Sequence, residues 1–102
     1  MKDLHPVFTK FKDEYPEIYE KHAELGRAVH GEGGPLDEKS RWLIKVAISA
    51  ASGHERALQT HIAKAREAGV SDGELVHALM LIIPSLGFPA FMEAYSIFTG
   101  IK

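Results

Sequence analysis

The punctuation between Ser52 and Tyr95 constrains this chain's fold more than any other feature. Gly53 closes one run of apolar and small residues, and Gly69 closes the next. Ser71-Asp-Gly-Glu74 and Gly87-Phe-Pro-Ala90 each open another. A glycine just past a helix takes up the left-handed backbone that ends it. A serine three residues before a glutamate can receive the glutamate amide while the carboxylate returns to the serine amide. Proline suits a first helical turn, where its missing N–H costs nothing. These signals predict helices over about 54–68 and 71–83, and a last one from 87 onward, with Pro84 and Gly87 breaking the second from the third. No stretch has the alternation of a strand.

The upstream part reads the same way. A helix over 3–15 would carry Leu4, Val7, Phe8 and Phe11 on one stripe, with Pro6 in its first turn. Pro16 parts it from a second helix ending near Val29, and Tyr15 and Tyr19 are candidates for a partner interface. His30-Gly-Glu-Gly-Gly-Pro35 reads as a loop, and it lacks the Gly-x-x-x-x-Gly-Lys-Ser/Thr spacing of a phosphate cradle. Asp37 caps a third helix running to Ser52, whose stripe of Trp42, Leu43, Val46, Ala47, Ala50 and Ala51 is widened by Ile44 and Ile48. The expectation is an all-α bundle of roughly six helices, one domain over 1–102, with a helical arm at 1–33 and a core at 34–99. The third, fifth and sixth helices offer more apolar surface than so short a chain can cover, so an oligomer is expected.

Composition removes several function classes. A net charge of -2 leaves no footprint for nucleic acid and no basic helix for a membrane surface. There are no cysteines, so this chain supplies no disulfide, thiolate nucleophile or thiolate metal ligand. The longest apolar run, Ala78 to Ile83, falls far short of the roughly 18 residues of a spanning helix. The opening Met-Lys-Asp-Leu-His-Pro lacks the apolar centre of a signal peptide, and a cytoplasmic location is expected.

Histidines are the candidates for chemistry. His61 shares one face of the fourth helix with Leu58, Ile62 and Ala65, and His54 stands seven residues earlier. Two turns of helix separate them by about 10 Å at 1.5 Å per residue. One ion with bonds near ~2.1 Å does not readily take both, and His-Glu-x-x-His is missing, so no metal and no cofactor are expected. A histidine on an apolar face has two readings, a hydrogen-bonded structural residue or a proton-transfer group titrating near neutrality. His77 lies between Val76 and Ala78 on the fifth helix and is a weaker candidate. Phe88, Phe91, Tyr95 and Phe98 read as core or subunit interface.

Several stretches in order carry a resemblance. They are Pro35-Leu-Asp-Glu-Lys-Ser-Arg41, a helix rich in small residues, Leu58-x-x-His61, Ala68-Gly-Val-Ser-Asp-Gly-Glu-Leu75, and Gly87-Phe-Pro-Ala90. Together, over about Gly34 to Tyr95, they resemble the carboxymuconolactone decarboxylase family, whose superfamily includes the alkylhydroperoxidase D-like proteins. The resemblance implies an all-α fold of helical hairpins that assembles into homotrimers or homohexamers. The peroxide-reducing branch carries Cys-x-x-Cys-x-x-x-His. Aligned on His61, that pattern puts His54 and Ala57 at the cysteine positions, and the branch's relay glutamate falls near Trp42. The thiol apparatus is absent. The resemblance then implies cofactor-free loss of CO2 from a small lactone or related acid, with His61 as general acid. His54 would hold the substrate carboxylate, with Arg41 as a cationic anchor and Trp42 beside the substrate. Arg41 has an equal reading as a structural ion-pair residue. The alternative is a thiol-free homologue that binds a small molecule or serves assembly without peroxidase activity.

Overall fold

Proline and glycine set most helix ends in the computed structural model, which describes residues 5–101. The chain divides into two units, Met1–Leu36 and Asp37–Lys102. The first holds α1 (Pro6–Glu14) and α2 (Pro16–Glu32). The His5 side chain caps α1 by accepting the Val7 N–H at 3.1 Å. Residues 3 and 4, including Leu4, lie outside the described residues. Surface ion pairs Lys10–Glu14 and Arg27–Glu20 lie along the helices, and neither helix contains a buried residue. The glycine-rich stretch corrects the expected loop: α2 continues through His30, Gly31 and Glu32, and Gly33 still has helical φ and ψ. Glycine weakens a helix by roughly 1 kcal/mol relative to alanine without forbidding its dihedrals.

The second unit contains α3 (Glu38–Ala51), α4 (Glu55–Glu67), α5 (Asp72–Met80), the short α6 (Ile83–Leu86) and α7 (Phe88–Thr99). The Asp37 carboxylate accepts the Ser40 N–H at 2.8 Å and caps α3. α3 turns into α4 through two backbone hydrogen bonds: Gly53 N–H donates to Ala50 O and His54 N–H to Ser49 O, with Gly53 at φ 71°. This 5→2 and 6→1 pairing satisfies carbonyls that would otherwise end the helix unmet. α4 ends likewise, Gly69 N–H on Arg66 O and Val70 N–H on Ala65 O, with Val70 buried. The Ser71–Glu74 box is reciprocal: Ser71 Oγ accepts the Glu74 N–H at 3.1 Å, and Glu74 Oε1 accepts the Ser71 N–H at 2.8 Å.

Pro84 acts differently from the expectation. α5 stops at Met80, four residues before it, and Pro84 sits in the first turn of α6. In a continuous helix the Met80 carbonyl would face a ring instead of an N–H, at a cost of about 3 kcal/mol. Leu81 and Ile82 keep right-handed helical dihedrals, and the bonding tightens there, with the Ile82 N–H on Leu79 O.

Val46 and Ala50 of α3, Leu58, Ile62 and Ala65 of α4, Leu75 and Leu79 of α5, and Phe91 and Ala94 of α7 form one core. Leu58, Leu75, Leu79 and Val46 are its largest fully buried side chains, and each buried leucine contributes about 1.5–3 kcal/mol. The α3 stripe is narrower than expected, because Ile44 and Ile48 are exposed at 46% and 58%. Phe91, Tyr95 and Phe98 stack in sequence along α7, with centroids 5.4 and 6.3 Å apart. The architecture is all-α, and among the described residues there is no strand. No helix among them is long and apolar enough to cross a membrane.

Candidate functional site

Trp42, Lys45 and Ser49 recur at i, i+3 and i+7 of α3 and therefore share a face. His61 of α4 packs against that face. Its Nδ1 lies 2.6 Å from Ser49 Oγ and 3.2 Å from the Lys45 carbonyl oxygen. Ser49 Oγ donates to the same carbonyl at 2.9 Å. The indole of Trp42 stands 5.9 Å from the imidazole, centroid to centroid, and Lys45 Nζ lies 5.0 Å from the indole centroid.

Proton accounting assigns the tautomer. A carbonyl oxygen can only accept, so its approach to Nδ1 requires a proton on Nδ1. The Ser49 hydroxyl gives its one proton to Lys45 O and receives the Nδ1 proton on a lone pair. The neutral ring then carries its basic lone pair on Nε2, and the imidazolium carries a proton there. Ser49 and His61 have the spacing of a nucleophile and its base, but not the arrangement. Ser49 is 3% exposed, its proton points to a carbonyl, and the ring nitrogen beside it is already protonated. Ser49 positions the imidazole.

Of the four residues picked out by sequence, Trp42 and His61 come together. His54 is exposed at the N-cap of α4, with φ −91° and ψ 90°, outside the helix proper. Trp42, Lys45 and Ser49 lie against His61. Arg41 is half-buried in the first turn of α3, and its charge acts on the Asp37 carboxylate. That carboxylate is held below its ordinary pKa first by the Ser40 backbone N–H, then by the Ser40 side chain, with Arg41 and Lys39 adding attraction. Sequence reasoning missed Lys45 and Ser49. Their signal was present in the i, i+3, i+7 spacing with Trp42.

A different face of α3, marked by Leu43, Ala47 and Ala51, lines an open apolar groove of about 500 Å³ with α5 and α6. Leu81, Ile82 and Leu86 form its other wall, and Glu74 and His77 supply polar edges. His61 does not line it. Among the described residues no group of three or more His, Asp or Glu side chains is placed to hold a metal ion.

The fold and site define a class: a cysteine-free, all-helical protein in which one helix hairpin orients a single imidazole. The model of the carboxymuconolactone decarboxylase family matches residues 16–99, and the chain belongs to that family. It is 32% identical over 83 residues to Uncharacterized protein MJ1511 of Methanocaldococcus jannaschii, covering 81% of this chain and 77% of that one. It is 31% identical over 87 residues to Uncharacterized protein MJ0742 of the same organism, covering 84% and 83%. The crystal structure of apo-lpg0406, a carboxymuconolactone decarboxylase family protein from Legionella pneumophila, matches with a TM-score of 0.82. It covers 92% of this chain and 83% of that chain, and at 24% identity the likeness speaks for the fold.

Proposed function

We propose that this protein is a cofactor-free acid–base enzyme that removes CO2 from a small lactone or related carboxylic acid, with His61 moving the proton. The observation that supports this reading is the Nδ1 anchor on Ser49 Oγ and Lys45 O, which orients the ring and puts its basic lone pair on Nε2. Loss of CO2 leaves its bonding pair on carbon, and that pair passes into a conjugated carbonyl. The imidazolium Nε2–H then gives its proton to carbon, and His61 regains one from water. The Nδ1–H bond persists in both charge states, so the ring need not reorient during the cycle. Thiol-dependent peroxide reduction has no agent in this chain, which contains no cysteine. In this reading the protein works in the cytoplasm as a homotrimer or homohexamer. Support for assembly comes from the exposed apolar side chains of Ile44, Ile48, Leu81, Leu86 and Phe88.

The test is incubation with carboxymuconolactone in D2O, with CO2 and product followed together. Release of CO2 with one deuteron at the vacated carbon supports the reading. The absence of CO2 from this lactone and from related acids refutes it. A second reading is favoured by the separate apolar groove on α3, α5 and α6: binding or assembly without turnover. Saturable ligand binding without CO2 release would select it.

A further inference from the structure

The two helices of Met1–Leu36 bury nothing, yet their apolar residues are ordered. Phe8, Phe11 and Tyr15 are followed on α2 by Ile18, His22, Leu25 and Val29. The steps between them alternate three and four residues without a break, the seven-residue repeat by which one helix packs along another. Tyr15 leaves helical dihedrals at φ −133° and ψ 62°, but its N–H still reaches Phe11 O and its carbonyl still receives the Tyr19 N–H. The bonding therefore carries the seam through the break at Pro16. His22 is exposed, and the apolar members are between 38% and 64% exposed. In two copies those members present roughly 1,000 Å² of surface, on the order of what a specific interface buries.

We propose that this arm, α1 with α2, pairs antiparallel with the same arm of a second copy of the chain. The spacing fits a like helix, because a seam of alternating threes and fours meshes with another of the same period. The charges beside the seam set the direction. An antiparallel pair sets Tyr15 against Ile18, Phe11 against His22 and Phe8 against Leu25, each contact made twice about a two-fold axis between Pro16 and Glu17. Glu14 of one copy then flanks Lys21 of the other, again twice. The breaks at Pro16 meet at the axis, so both arms bend at one place. A parallel pair would set Glu14 beside Tyr19 and Lys21 beside Gly26, and it would place the two copies of His22 against each other. The pairing stands apart from the chemistry at His61. It has a consequence for assembly: a ring of three has no two-fold axis, whereas two such rings joined face to face do. Of the trimer and the hexamer, arm pairing selects the hexamer.

The experiment is sedimentation equilibrium of the full chain and its variants, with circular dichroism to show that each is folded. The wild type should hold an even number of copies, and Ile18→Glu with Leu25→Glu should halve its mass. Glu14→Lys should weaken the pairing by at least about fivefold, and adding Lys21→Glu should return it to within about twofold of wild type. Nothing inside one arm gives that return, since Lys21→Glu sets a second carboxylate four residues from Glu17. The chain has no cysteine, so introduced ones report the register alone. On mild oxidation Phe8→Cys with Leu25→Cys should link two copies, and Leu25→Cys by itself should not. A wild type of one or three copies, or a double glutamate variant of unchanged mass, would overturn the pairing. Linking by Leu25→Cys alone would overturn its antiparallel direction. A halved mass without the Glu14–Lys21 return and without the Phe8–Leu25 link would put the arm on a different surface of the neighbouring copy, and the proposal would fall with it.

Discussion

Replacing Ser49 with alanine tests the geometry that fixes the His61 ring. The hydroxyl is 3% exposed, receives the His61 Nδ1 proton at 2.6 Å and donates to Lys45 O at 2.9 Å. Alanine fits the same space, so packing changes little and the loss is polar. Each bond contributes about 1 kcal/mol net, and water cannot readily replace either partner at so buried a position. The Lys45 carbonyl, 3.2 Å from Nδ1, stays as a second acceptor, which limits the damage. The expected destabilisation is about 1–2 kcal/mol, and in a domain of this size each kcal/mol lowers the melting temperature by about 4–8 °C. Chemical denaturation monitored by helix signal reads the first quantity and a thermal melt the second. Nitrogen NMR of the imidazole supplies the tautomer: proton on Nδ1 in wild type, and in Ser49→Ala still on Nδ1 through Lys45 O. A wild-type ring with its proton on Nε2 would refute the reasoning. So would a Ser49→Ala protein as stable as wild type within about 0.5 kcal/mol, the ordinary spread of surface substitutions.

The other expectations concern the frame that carries the site. Leu58 is 1% exposed, and Leu58→Ala should cost about 2–5 kcal/mol in a denaturant titration, because the core at the α3–α4 contact cannot fully close over the lost methyls. Ser71→Ala removes the acceptor for the Glu74 N–H and should cost about 1 kcal/mol by thermal melt. Acid should weaken the fold through Asp37 and Glu74. The Ser40 backbone N–H does most to hold Asp37 below its ordinary pKa, and the Ser71 backbone N–H does most for Glu74, with Lys39 adding attraction in both cases. A folded pKa below the unfolded one gives stability that is present above the unfolded value and lost as pH falls through the folded value. Denaturation midpoints should therefore drop below about pH 4, in the carboxylate range, and Asp37→Asn with Glu74→Gln should flatten that drop.

How far the sequence revealed this structure depends on the kind of signal. Local hydrogen-bond chemistry was readable: Gly53 and Gly69 close their helices with positive φ, and Ser71 and Glu74 exchange the two bonds their spacing predicts. Effects at a distance along the chain were harder to see. α5 stops at Met80, where the i−4 bonding gives way to an i−3 bond from Ile82 N–H to Leu79 O, while the sequence reading placed the break at Pro84 itself. Gly31 lies inside α2 because a glycine penalty is a cost, not a prohibition. At the site, His61 was visible from its place on an apolar face and from its family position. Its neighbours were not, because Lys45 and Ser49 were read for size and charge along α3, while their importance comes from α4 packing across them. His54 looked like a partner on the assumption that it continued the α4 face, and the N-cap backbone removes it from that helix.

The rate of CO2 release from carboxymuconolactone by wild type and by His61→Ala tests the central claim most directly, with circular dichroism showing that both are folded. The account predicts turnover by wild type and a loss in the variant of about 10²–10⁴-fold, the range a positioned general acid supplies. Turnover in the variant at the wild-type rate would contradict it and return His61 to a structural role between α3 and α4.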